Sequence, residues 1–170
     1  ELATRRVREA GLQDRVEVVL RDYRDLSGRF DKLVSVEMIE AVGAEYYDDF
    51  FRVLGERLEP HGLAAVQAIT IADQRYEGAR REVDFIQRHI FPGTCIPSVT
   101  ALLTSATRAS DLRLVQLEDI TAHYPPTLLA WRRAFQAAEP ELEALGFDRE
   151  FRRLWKFYFC YCAGGFLERH

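Results

Sequence analysis

Two carboxylates, Glu37 and Glu40, stand three residues apart just beyond a short apolar run built on Leu33, Val34 and Val36. In open α/β sheets ligands bind in the crevice beyond the carboxyl ends of the strands. Acids at such an end are candidates to meet a ligand, and the alternative, that both are solvated loop acids, stands equally on position alone. A second polar intrusion is Gln67, a lone amide in the apolar stretch Leu63 to Ile71. A buried amide must find hydrogen-bond partners, so Gln67 is either a satisfied core amide or a side chain aimed into a site. The cysteines, Cys95, Cys160 and Cys162, are odd in number and lack metal-ligand spacing. They read as free thiols of a reducing compartment and not as a metal centre. His61, in Pro60-His61-Gly62, reads as a solvated turn residue.

These residues need elements to hold them. The chain has 170 residues, enough for one domain with a sizeable core. Its 48% hydrophobic and 29% charged residues are ordinary globular values, and its net charge of -4 argues against a nucleic-acid surface. No run is long and apolar enough to span a bilayer. The first residues, Glu1 to Arg6, look like the middle of a helix, as if cut from something longer, and not like a signal peptide.

Periodicity predicts a helix over 1–10 ending at Gly11, a strand over 16–20, a loop at 21–25 and a buried strand over 31–37, covered on both faces. A helix over 44–58 follows, with Tyr46, Tyr47, Phe50, Phe51, Leu54 and Leu58 at helical spacing, then a buried strand over 62–71. The alternation argues for a mostly parallel sheet with helices on both faces. Beyond it the pattern predicts an amphipathic helix over 73–90, a loop over 91–98, a helix over 98–109 and a strand over 112–120. The stretch 73–109 is longer than a plain crossover and reads as a helical lid over the strand ends. A helix from Tyr124 to Ala138 carries Pro126 in its first turn; 140–145 reads as a link. A long helix over 148–167, N-capped by Asp148, is apolar nearly all round, so it is buried or lines a pocket, and Gly164-Gly165 would admit a close neighbour.

Taken in order, the segments Val16 to Asp25, Val34 to Gly43, Ile90 to Gly93 with Ile96 to Ser98, and Tyr158 to Phe166 resemble the cyclopropane-fatty-acyl-phospholipid synthase family over essentially the whole chain. The resemblance implies a Rossmann-like class I methyltransferase domain, truncated at both ends. The glycine-rich cofactor loop would lie before Glu1, and a last strand after the long helix. It implies S-adenosylmethionine as cofactor, with Asp22, Tyr23 and Glu37 as cofactor-binding residues and Asp22 accepting from the adenine amine. It implies a bicarbonate ion held by Glu40, the backbone at Ile69, and Tyr158. Many members carry His where this chain has Gln67; an amide can still hydrogen-bond the ion but cannot take up a proton. The implied reaction is methylene transfer to the cis double bond of a phospholipid acyl chain, closing a cyclopropane. The implied setting is the cytoplasm, peripheral to the inner membrane surface, with a homodimer admitted. Aromatic faces at Tyr158, Phe157 and Tyr161 are expected near a transient carbocation, although core packing is the stronger reading of the latter two. The lid cations Arg75, Arg80, Arg81 and Arg88 are interleaved with Glu77, Glu82 and Asp84, which favours a solvated face over a headgroup site. The alternatives are a methyltransferase acting on a small amine or on an acyl chain without ring closure, and an inactive remnant; the isolated chain is expected to be inactive.

Overall fold

The computed structural model describes residues 1–168. Helix α1 spans Leu2–Glu9 and ends as its sequence predicts: Gly11 takes a left-handed φ of 65°, and its amide returns to the Arg8 carbonyl. Strand β1 spans Phe30–Val36, helix α2 Tyr47–Arg57 and strand β2 Leu58–Gln67. β1 and β2 pair in parallel, with Val34 opposite Ala65 and Val36 opposite Gln67. α2 is the crossover between them, as the alternating pattern requires. The register matters for function, because it brings Gln67 to the level at which β1 gives way to Glu37.

Beyond β2 come α3 (Asp73–Ala79), α4 (Phe85–His89) and α5 (Val99–Ala109). The single helix expected over 73–90 is thus two short ones. Asp84 and Gln87 form a reciprocal capping box that starts a new helix in mid-segment. α6 (Tyr124–Ala137) forms with two prolines in its first turn, and the stretch expected as a link is a further helix, α7 (Glu139–Ala144). Helix α8 (Arg149–Glu168) opens on Asp148, whose carboxylate accepts from the Phe151 amide at 2.7 Å. Asp148→Ala should cost about 1 kcal/mol in a urea unfolding series with no change in slope.

Two expected strands do not form. Val16 to Leu20 and Leu112 to Ile120 carry no strand ladder among the described residues, and most of their apolar side chains stand in water, Leu114, Val115 and Leu117 among them, while Leu112 packs against the core. The physical reason is that a strand exists only against a partner, and the sheet among these residues has two strands. For the same reason β1 is not covered on both faces: Val34 is 74% exposed. Nor do Gly164 and Gly165 receive a close neighbour, since a Cβ on either would meet nothing within 4 Å.

The core has two centres. Ile39, Tyr47, Phe50, Phe51 and Tyr76 form the first, between the β1–α2 segment and α5. Leu128, Phe159 and Ala163 form the second, where α6 packs on α8. Along α8 only Phe159 and Ala163 are buried; Phe157 and Tyr161 remain substantially exposed, so the helix is less enclosed than its sequence implies. Among the described residues no helix is long and apolar enough to cross a membrane.

Candidate functional site

β1 ends at Val36, and the next residue, Glu37, takes a left-handed φ of 49°. Its amide donates to the Gln67 carbonyl at 2.9 Å, which extends the parallel pairing one step past the strand. The chain then coils into a 3-10 turn over Ile39–Ala41. Ile39 is fully buried in the first core centre, and this drags its neighbour inward: Glu40 is left only 8% exposed. The Cys95 amide donates to the Glu40 carbonyl at 2.8 Å and pins the turn to the segment before α5.

The Glu40 side chain is the unusual group. One carboxylate oxygen, Oε1, accepts from the Ile69 amide at 2.5 Å; the other, Oε2, is buried and has no partner among the described residues. Burial pushes this carboxyl above the usual range, the Ile69 amide opposes the rise, and the Glu37 carboxylate adds to it. A buried acceptor without a donor is costly, so this oxygen is free to take a hydrogen bond from a ligand.

Gln67 is a hydrogen-bonded amide at the end of β2. Its Nε2 donates to Glu37 Oε1 at 3.0 Å and to the Tyr124 hydroxyl at 3.0 Å. Tyr124 opens α6, and its ring lies 4.5 Å from Phe166 of α8, so the packing of α6 on α8 delivers the hydroxyl. Having accepted from Gln67, that hydroxyl keeps its own proton to donate. Tyr124 was not legible as a site residue in the sequence, where Tyr124-Pro125-Pro126 reads only as a helix start. The sole signal was an amphipathic tyrosine at the entry of an apolar helix.

The other expected site residues lie at varying remove. Tyr158 projects from α8 toward the same end, where the Glu37 carboxylate is felt at its hydroxyl; burial, with Cys162 adding, pushes it up to about 12. The Cys162 thiol beside it is pushed up to about 11 by burial. Asp22 caps the 3-10 turn Tyr23–Asp25, and its two oxygens take three bonds from Arg24, at 2.9, 3.0 and 2.7 Å. Those bonds hold its carboxyl at about 2. Tyr23 packs edge-on against Phe50 at 5.9 Å, and burial raises its hydroxyl pKa. Among the described residues no hydrogen bond joins Asp22 or Tyr23 to the Glu37–Glu40–Gln67 cluster.

Aromatic side chains of the 73–109 segment pack against α8. Phe85 of α4 meets Phe157 and Tyr161 of α8 at 4.9 and 5.2 Å, and Phe91 meets Tyr158 at 6.1 Å. Two open clefts lie elsewhere. One of about 660 Å³ runs along Pro125, Leu129 and Phe166, and one of about 470 Å³ along Glu45, Arg80 and Cys95. Neither is lined by Glu37, Glu40 or Gln67, so the chemistry of the donor set, not cavity size, marks this site.

The chain is similar to known lipid methyltransferases. Tuberculostearic acid methyltransferase UfaA1 of Mycobacterium tuberculosis is 41% identical over 97% of this chain and 39% of its own length. Cyclopropane-fatty-acyl-phospholipid synthase of Escherichia coli is 36% identical over 91% of this chain and 38% of its own. The chain therefore spans about two fifths of the length of these curated relatives. The crystal structure of mycolic acid cyclopropane synthase CmaA1 complexed with SAH and CTAB superimposes with a TM-score of 0.80 at 25% identity, covering 94% of this chain and 60% of that one. The fold is that of these class I methyltransferases, of which the chain covers about 60%. With the family model of mycolic acid cyclopropane synthetase matching residues 1–170, the chain belongs to that family of S-adenosylmethionine-dependent lipid methyltransferases.

Proposed function

We propose that this protein transfers a one-carbon unit from S-adenosylmethionine to the cis double bond of an unsaturated phospholipid acyl chain and closes a cyclopropane ring. The observation that carries the reading is Glu40, a buried carboxylate with one oxygen on the Ile69 amide and the other without a partner among the described residues. S-adenosylmethionine supplies an activated methyl group, and an alkene is a poor nucleophile for it. Orientation and exclusion of water must therefore supply much of the rate. The wall of Phe85, Phe91, Phe157 and Tyr161 offers an apolar face for an acyl chain, and segment 73–109 would act as its lid. Methylation leaves positive charge on the chain, which the aromatic faces at Tyr158, Phe157 and Tyr161 stabilise without reacting. A proton must then leave the new methyl group for the ring to close.

The donor set fits a bicarbonate ion. Glu40 Oε2 needs a donor and would take the ion's O–H; the Tyr124 hydroxyl has a proton to give to one of its oxygens, with Tyr158 as a second hydroxyl nearby. Bound there, bicarbonate would supply the base for that proton, a task the Gln67 amide cannot perform. For the cofactor, a carboxylate offers about four lone-pair sites. Arg24 takes three bonds at Asp22, which leaves room for one more from the exocyclic amine of adenine. Tyr23 would complete this chain's share of the cofactor contacts. The acceptor being a bilayer lipid, the work would be done at the cytoplasmic face of the inner membrane, in a monomer or a homodimer.

The test is to express the intact protein in a bacterium lacking such an enzyme and to analyse its fatty acids by mass spectrometry. The expected result is unsaturated chains that gain one CH2 and lose the alkene. A second reading is methylation of the chain without ring closure. It is favoured by the 41% identity to a relative named as a tuberculostearic acid methyltransferase. Methylated chains without a ring would establish it. The relatives are named for lipids, which speaks against a small amine as acceptor.

A further inference from the structure

Glu37 is the only non-glycine residue with positive φ among the described residues. A side chain is disfavoured there because Cβ crowds the following carbonyl, and a glycine would sit at that angle freely. Such strain persists where the surroundings over-determine it, and it gathers at functional positions. Here both ends of the residue grip one partner: the Glu37 amide donates to the Gln67 carbonyl, and Glu37 Oε1 accepts from Gln67 Nε2. The side chain is exposed, so it is not there to fill a core.

We propose that Glu37 is a positioning residue whose carboxylate locks the Gln67 side-chain amide in one orientation, leaving only its carbonyl oxygen to meet a ligand. An ionised carboxylate accepts and never donates. Turning the amide over would set its oxygen against Glu37, acceptor to acceptor. The Tyr124 hydroxyl accepts or donates with equal ease and would tolerate either orientation, so Glu37 decides it. With both NH2 hydrogens committed, Gln67 has an acceptor to offer and no donor. The donor on this side of the site is then the Tyr124 hydroxyl, which Gln67 in turn holds. This inference rests on the transfer site described above and gives Glu37 a different task from cofactor binding.

The test uses the intact protein with Glu37→Gly, Gln67→Met and the double variant. Glycine accepts the left-handed backbone, so Glu37→Gly should not lower the melting temperature. Its Gln67 side-chain NH2, labelled with nitrogen-15 and identified by its loss in Gln67→Met, should exchange with solvent at least tenfold faster than in the parent. Turnover should fall at least tenfold, with the KM for S-adenosylmethionine within twofold. In the Gln67→Met background, adding Glu37→Gly should change turnover by less than twofold, because Glu37 acts through Gln67. A raised cofactor KM with unchanged turnover would make Glu37 a cofactor ligand and overturn the proposal. Unchanged NH2 exchange would overturn it as well. If the parent turns over no acyl substrate, the proposed function fails, and the exchange measurement still decides the lock.

Discussion

Glu40→Gln is expected to lower lipid methylation by about 100- to 1000-fold, the usual cost of removing one preorganised polar group from a transfer site. Glutamine keeps an oxygen for the Ile69 amide, so the turn should stay in place. What changes is the second position, where an NH2 donor replaces the unpartnered Oε2 acceptor and the charge is gone. The stability prediction runs the other way. Burial raises the folded carboxyl above its unfolded value, so the folded state binds the proton more tightly. The native protein therefore loses stability as pH rises from the ordinary carboxylate value through the raised folded one. Glutamine does not titrate, so the variant should be at least as stable as the parent above that window, with a flatter pH dependence inside it. Initial rates of S-adenosylhomocysteine formation and urea unfolding at several pH values check both halves. A variant with near-normal turnover would remove Glu40 from the site.

The largest stability effect is expected at Phe50, which is 2% exposed and sits against Tyr23 and Phe51 with ring centroids at 5.9 and 5.2 Å. Phe50→Ala should cost about 3–5 kcal/mol, from lost transfer free energy and the cavity left behind. That is a large share of the roughly 5–15 kcal/mol that holds a domain together. The melting temperature should fall by about 10 °C or more. Because Tyr23 rests on the same ring, binding of S-adenosylmethionine should weaken as well, whereas the Glu40–Ile69 contact, held from β2, should persist. A drop of only a degree or two would mean that the α2–α5 core relaxes around the loss.

Much of the fold was written in local pattern. Gly11 ends α1 because only a residue free at positive φ closes that helix cheaply, and Asp148 opens α8 because its short carboxylate reaches the Phe151 amide. The apolar, β-branched run at Leu33 to Val36 makes a strand, and the aromatic spacing from Tyr47 to Leu54 makes a helix with one buried face. The misses were of two kinds. Val16 to Leu20 has the composition of a strand, but a ladder depends on a partner, which composition cannot supply. The break inside 73–90 turned on a reciprocal pair, Asp84 with Gln87, that competes with helix continuation only once both side chains are in place.

By itself the sequence determined the residue types of the site and their order along the chain: an acid pair after a strand, an amide at the end of the next one, and tyrosines on the last helices. Tertiary structure alone decided which of these meet. The parallel register sets Gln67 opposite Val36 and so beside Glu37, the burial of Ile39 pulls Glu40 out of water, and the packing of α6 on α8 brings Tyr124 rather than Tyr158 into hydrogen-bond reach of Gln67. The physical reason is range. Propensity and capping act over a few residues, whereas a hydrogen bond spanning 57 positions exists only after two separate cores have packed and fixed the distance between them.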